Sequence, residues 1–407
     1  MRVGIDFGTS NTSVALLKDG AVSLVEIEPG EVSIPTAIFY ETGQPGCVIG
    51  NAALEAYESG EDGRLMRSIK SVLGSELIEE TTQIGSRSMP FRQVILDFLR
   101  TLLKQVEKQA GGTITDVVQG RPVSFNDTNK AFDARAQRVL EDCLKELGVQ
   151  SVEFLTEPVA AARSVAFQAP NEHLAFVIDI GGGTSDFSVV RIEPGKNGFQ
   201  VLGSSGVYVG GNDFDRLLSF FELTPLFGRT ETLELNGLPA PAAPYVTLSD
   251  WKSLNRLYAP AVKKEVAWMQ KHSPSSLGIR ALSYLIENFE AATYAHKTEA
   301  AKIRMSSDDE ARFTYPIPGA KLEKLLIRSV FENLIAETIS TMDEAAHRCL
   351  SDAGVKPSDI TDIIMVGGST FVPTVEMLFL KQFPNAKLTD NDRFGAVAKG
   401  LARHAAN

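Results

Sequence analysis

Two stretches of this chain share one pattern of apolar and polar positions. Each has an apolar run ending in aspartate, a short turn of glycine and hydroxyl residues, then a second apolar run. Residues 5–16 read IDFGTSNTSVAL and residues 178–190 read IDIGGGTSDFSVV. Each predicts a β-hairpin. Aligned from Asp6 and Asp179 with two extra glycines in the second copy, Thr9-Ser10-Asn11 falls on Thr184-Ser185-Asp186, and Ser13-Val14 falls on Ser188-Val189. The copies lie about one domain length apart, which implies two related lobes with one loop each. Between them, VALLKDGAVSLVEI predicts strands joined at Asp19-Gly20, and residues 51–75 predict a helix that carries Lys70. Residues 91–110 (FRQVILDFLRTLLKQVEKQA) place apolar side chains at three- and four-residue spacing and stop at Gly111-Gly112, the pattern of an amphipathic helix. DVVQGRPV predicts a strand, residues 126–147 a helix, SVEFLTEP a short strand ending in a turn, and residues 159–170 another helix.

LAFVIDIGGG opens the second lobe as a strand. Further on, residues 279–305 predict one long helix, ARFTYPI a strand, residues 320–353 a second long helix, DIIMVGG a strand, and FGAVAKGLARHA a small-residue helix. The mix predicts an α/β fold. Residues 223–281 differ in texture. They hold Pro225, Pro239, Pro241, Pro244, Pro260 and Pro274 with both tryptophans, Trp251 and Trp268. Proline at that density breaks regular elements, while the tryptophans imply a packed surface.

A length of 407 residues exceeds what one core usually supports, so two domains are expected. Hydrophobic content of 43% with 22% charged residues is that of a soluble globular chain. The net charge of −11 argues against nucleic acid or an anionic membrane surface as a general partner. Cys47, Cys143 and Cys349 give neither a disulfide framework nor a zinc spacing. With no leader segment and no apolar stretch of membrane-spanning length, a cytoplasmic protein is expected.

The two hairpins carry the candidate chemistry. Their N–H groups and hydroxyls can face an anion. A facing pair would grip a polyphosphate from both sides, with the strand-end aspartates placed to hold a metal ion. Neither is a Walker loop, since GxxxxGK[ST] is absent and each strand leads into another strand. No GxGxxG opens a helix, which disfavours a dinucleotide fold.

What is present resembles the actin-like ATPases, and within them most closely the heat-shock protein 70 family. Five segments in the family's order carry the resemblance. It implies a two-lobed fold of duplicated ribonuclease-H-like lobes with inserted helical subdomains, lobe I over residues 1–170 and lobe II over 171–407. GIDFGTSNTSVA resembles the first phosphate loop, so Gly8, Thr9, Ser10 and Asn11 would contact phosphate and Asp6 would hold Mg²⁺ through water. RSIKSVLG supplies Lys70, which would reach the γ-phosphate and orient the attacking water. GRPVSFND and FLTEPVAAA resemble the first connection between lobes, with Glu157 of the Glu157-Pro158 turn at the metal's waters or the nucleophilic water.

VIDIGGGTSDFSVV with YVGGNDFD resembles the second phosphate loop. Gly181, Gly182, Gly183 and Thr184 would cradle the β- and γ-phosphates. Asp179 and Asp186 would face the metal, Thr184 would help to activate water, and Gly210-Gly211 would let the backbone approach the nucleotide. Glu299, Lys302 and Ser306 on one helix face match a motif that hydrogen-bonds ribose and adenine. Gly367, Gly368 and Ser369 would pass close to the adenosine.

The chain also departs from the family. Phe371 stands where an arginine is usual and Ile303 faces it, an apolar clamp that can still stack a base. The last connection, NDRFGAVAKGLA, lacks the usual Asp-Glu pair, and the segment between Lys70 and Glu157 is shortened while 223–281 is expanded. The sequence ends at Asn407 without the linker, peptide-holding β-sandwich and lid, which resembles the stand-alone truncated chaperone-like proteins of bacteria. The function implied is an ATP-binding, slowly hydrolysing chaperone-like protein whose lobes close on Mg·ATP and open on ADP. A protein partner would read that motion on the lobe faces or on 223–281. Two alternatives stay open: a sugar or small-acid kinase of the same superfamily, and an actin-like filament protein.

Overall fold

The strand Arg2–Phe7 buries Val3, Ile5 and Phe7 and lies at the middle of a six-stranded sheet. On one side it pairs antiparallel with Asn11–Lys18, which carries Ala21–Leu24 and Ser33–Pro35; on the other it pairs parallel with Asp116–Arg121 and then Ser151–Thr156. His173–Ile180 repeats the scheme in a second sheet. It pairs antiparallel with Ser185–Glu193 and beyond it Gly198–Val207, and parallel with Asp362–Val366 and beyond it Lys387–Leu388. Strand for strand the two five-strand paths have the same topology, so the duplication seen in the hairpins extends through both sheets. This is the expected α/β fold of the actin-like ATPases. The computed structural model describes residues 1–18, 20–125, 129–165, 172–193, 198–389 and 392–404. Asp19 of the Asp19-Gly20 turn, residues 126–128, residues 166–170, Asn391 of the last connection and Asn407 lie outside the described residues.

Helices cover these sheets where the sequence supplies an apolar stripe. Phe91–Ala110 buries Val94, Phe98, Leu102 and Val106 and ends at Gly111 in the left-handed region (φ 75°). Lys130–Glu146 begins under Asn129, whose side chain accepts the Ala131 and Phe132 N–H groups. Glu157–Ser164 and Ala396–His404 meet with almost nothing between them: a Cβ on Gly400 would come within 1.7 Å of the Ala160 carbonyl oxygen.

Four expectations need correction. Residues 51–75 are not one helix. Gly50–Glu58 is helical, the chain turns at Gly60 (φ 83°), Gly63–Arg67 is a strand, and Lys70 sits on the short 3₁₀ turn Ile69–Val72. Glu157-Pro158 does not form a turn but opens a helix, where proline in the first turn loses no hydrogen bond. The helix expected over 279–305 is two, Leu277–Glu287 and Ala291–Ser307, broken at Phe289 in the left-handed region (φ 59°). Finally, the helix expected from 320 starts at Arg328, because Ala320–Ile327 turns at Gly319 and pairs with Glu310–Ile317. Its Lys, Leu and Glu residues favour a helix, and cross-strand pairing overrides that preference.

Contacts group residues 1–208, 344–370 and 378–407 into one unit and 209–343 with 371–377 into another. Position 170 separates the two sheets, yet both sheets belong to the first unit. The second unit is mostly helical. Pro225, Pro244 and Pro260 each stand in the first turn of a helix, so these three start elements, while Pro239, Pro241 and Pro274 lie between helices. Its core includes an aromatic group in which Phe227 meets Tyr294 edge-on at 5.2 Å and Tyr315 at 5.1 Å. Among the described residues no helix is long and apolar enough to cross a membrane.

Candidate functional site

Strand register fixes how the two loops correspond, and it differs from the letter-matched alignment. Asp6 pairs with Ser13, and Asp179 pairs with Asp186. Both hairpins close through the same bond, Gly8 N–H to the Asn11 carbonyl at 3.0 Å and Gly181 N–H to the Thr184 carbonyl at 3.0 Å. The loops are therefore equal in length. Gly8 matches Gly181, Thr9-Ser10 matches Gly182-Gly183, Asn11 matches Thr184, and Ser13 matches Asp186. Matching Thr-Ser letters had suggested two inserted glycines, but the second copy has exchanged side chains without gaining residues.

Both loops lie in the first unit, and they touch: the Gly182 N–H donates to Ser10 Oγ at 3.1 Å. Each is braced from behind. Thr36, which the sequence did not single out, donates its hydroxyl to the Gly8 carbonyl at 2.8 Å and its N–H to the Ser10 carbonyl at 2.7 Å. Ser369 donates its hydroxyl to the Gly181 carbonyl at 3.2 Å. The only sequence signal for Thr36 was a lone hydroxyl inside the apolar run IPTAIF.

Lys70 is buried, and its Nζ lies 2.7 Å from Glu157 Oε1. The turn that carries it follows Ser68 in the left-handed region (φ 54°), and the Ser68 N–H is bound by the Thr36 carbonyl at 3.1 Å. Burial works against the Lys70 ammonium, yet Glu157, Asp6 and Asp179 around it hold its pKa above the ordinary range. The aspartates respond in the opposite sense. Burial first, then the Glu157 carboxylate, push Asp6 up to about 7 against the pull of Lys70. Burial, Glu157, Asp186 and Asp6 together raise Asp179 well above the carboxylate range. A cavity beside them is lined by Pro122, Val123, Glu157, Pro158, Asp179 and Asp186. Glu157, Asp6 and Asp179 thus surround one ammonium, with Asp186 acting on Asp179, and a divalent cation beside them would favour the ionised form of the raised aspartates. No group of three His, Cys, Asp or Glu side chains among the described residues converges closely enough to ligate a metal directly, so these carboxylates fit an ion that keeps its waters.

Gly367 and Gly368 continue from Asp362–Val366 in the first unit, and packing explains both. Gly367 has φ 86°, and a Cβ there would meet the Ile180 carbonyl oxygen at 2.3 Å; one on Gly368 would meet the Phe394 ring at 3.0 Å. The other residues expected at the nucleoside lie in the second unit. Gly210 caps the helix Gly211–Leu218, its N–H donating to Asp213 at 3.0 Å. On Ala291–Ser307, Lys302 is buried and ion-paired to Asp215 at 2.7 Å, with the Gly211 carbonyl at 3.4 Å. The expected ribose contact is thus also a structural cation. Ser306 reaches back to the Lys302 carbonyl at 3.5 Å, Glu299 is half-buried, and Ile303 and Phe371 are 60% and 42% exposed.

Comparison with known proteins agrees with this architecture. The family model described as Hsp70 protein matches residues 83–237 and 288–406, more than half of the chain. The chaperone protein HscA homolog of Shewanella oneidensis is 28% identical over 99% of this chain and 57% of its own length. The homologs of Shewanella putrefaciens and Shewanella denitrificans, at 27% and 26% identity, are covered to the same extent. The chain spans about half the length of the curated relatives it matches.

Proposed function

The chain belongs to the Hsp70 family, and on that footing we propose that it binds Mg·ATP and hydrolyses it slowly to ADP and phosphate. The observation that carries the reading is Lys70 paired to Glu157 between Asp6 and Asp179, beside two loops in contact. The amides and hydroxyls of residues 8–11 and 181–184 take the β- and γ-phosphates. The Gly182 N–H, which donates to Ser10 Oγ, turns to a phosphate oxygen, and the Ser10 hydroxyl becomes a second donor to it. Asp6, Asp179 and Asp186 would hold Mg²⁺ through its waters, and the ion would supply charge neutralisation at the phosphates. Lys70, kept protonated by its neighbours, stabilises the charge of the transferring group. Glu157 and the Thr184 hydroxyl accept hydrogen bonds from the attacking water, whose proton leaves with the phosphate.

Glu299, Lys302, Ser306 and the exposed Ile303 and Phe371 take the nucleoside, with Gly210 and Gly211 giving the backbone room. The lobes close on Mg·ATP and open on ADP, and a protein partner reads that change on the lobe faces or on residues 223–281. The test is single-turnover hydrolysis of Mg·ATP by the wild type and by Lys70→Ala. Loss of about two to four orders of magnitude with binding retained is expected. ATP binding without hydrolysis by either protein would leave a nucleotide-sensing module or a kinase lacking its acceptor. Absence of ATP binding would overturn the reading.

A further inference from the structure

Thr36 follows the strand Ser33–Pro35 and is buried, with 1% of its surface exposed. All three of its polar groups are spent on the site. Its N–H goes to the Ser10 carbonyl, its hydroxyl to the Gly8 carbonyl, and its carbonyl accepts the Ser68 N–H ahead of Lys70. Thr12 Oγ1 lies 2.8 Å from Thr36 Oγ1. With the Thr36 proton committed to Gly8, Thr12 is the donor in that pair. Two carbonyls of the first loop are thereby turned toward Thr36. A carbonyl oxygen facing a phosphate repels it, whereas an N–H attracts it. In the second loop the carbonyl of Gly181, the equivalent of Gly8, is taken by Ser369 from an unrelated segment. The same carbonyl is therefore restrained by a hydroxyl in both copies, although the two hydroxyls come from different places in the fold.

Resting on the ATP reading above, we propose that Thr36 and Ser369 are positioning residues that hold these carbonyls averted so that the loop amides face the phosphates. Thr36 also fixes the turn that carries Lys70. Thr36→Val removes the hydroxyl at nearly constant volume, and Thr36→Ser keeps it. Mg·ATP affinity by calorimetry, AMP affinity by displacement, and the single-turnover rate separate the possibilities. Thr36→Val should lose about tenfold in ATP affinity and about tenfold in rate while AMP affinity stays within about twofold, and Thr36→Ser should restore both. Ser369→Ala should show the same ATP-selective loss, and it decides the matter alone if Thr36→Val does not fold. Wild-type behaviour of Thr36→Val, failure of Thr36→Ser to rescue, or a parallel fall in ATP and AMP affinity would overturn the proposal. A wild type that binds no ATP would instead remove the ATP reading and this proposal with it.

Discussion

Asp6 should make the nucleotide-free protein weaker as the solution becomes more alkaline, and Asp6→Asn should remove that weakness. Burial and the Glu157 carboxylate raise the Asp6 pKa from 3.8 to about 7. Between those values the unfolded chain holds fewer protons at this position than the folded one. Stability therefore falls as pH rises through that window and is level above about 7. At about 1.4 kcal/mol per unit the full window amounts to ~4 kcal/mol. Asp6 keeps part of its surface open to water, which relieves some of this, so a change of about 2 kcal/mol between pH 5 and pH 8 is expected. The substituted amide does not ionise, so the variant lacks the slope. Urea unfolding of both proteins at pH 5, 6, 7 and 8, without nucleotide or divalent metal, reads the difference directly. The advantage of Asp6→Asn should be smallest at pH 5 and grow by about 2 kcal/mol by pH 8, while its Mg·ATP affinity falls. An advantage that stays constant across the series, or that grows toward acid, would refute the reasoning.

Three other outcomes follow from the same geometry. Glu157→Gln removes a charge that raises Asp6, so the midpoint of the Asp6-linked pH dependence should drop below 7; an unmoved midpoint counts against the cluster. Gly400→Val places side-chain atoms where a Cβ would already lie 1.7 Å from the Ala160 carbonyl oxygen. It should cost at least about 3 kcal/mol in urea unfolding, and a loss under about 1 kcal/mol would show that the two helices can part. Lys302→Met strips the buried Asp215 of its ammonium and should cost about 3–5 kcal/mol. Adding Asp215→Asn should recover most of that in thermal unfolding, and no recovery would mean that Lys302 stabilises the unit by some other route.

Hairpins and amphipathic helices were legible because their signals are local. Gly111 stops a helix whose apolar stripe is unambiguous, and the strands around Asp6 and Asp179 are apolar runs closed by turn residues. The α/β class and the duplication followed from those alone. What failed depended on partners far away in the chain. Ala320–Ile327 has helix-forming composition and becomes a strand because Glu310–Ile317 lies beside it. In 51–75 the cluster Ser59-Gly60-Glu61-Asp62-Gly63 announced a break that the helix reading passed over, whereas the break in 279–305 falls at Phe289, which composition does not announce. The loop correspondence was misread because identical letters, Thr-Ser, occur two steps out of phase with the backbone. Thr36 was invisible for a related reason. Its importance lies in which carbonyls it meets, and those belong to residues about 28 positions away.

The two glycine- and hydroxyl-bearing loops are copies of one device, yet their point of contact requires them to be unlike. Ser10 accepts the Gly182 N–H, and Gly183, not serine, holds the place equivalent to Ser10. Glycines in both copies would leave that amide with no hydroxyl to meet. Serines in both would put two side chains where one bond now fits. The strand below repeats the division, with a hydroxyl at Ser13 and a carboxylate at Asp186 on matching rungs. Duplication supplied the symmetry, and divergence broke it, so anything gripped between the two loops would meet two chemically different faces.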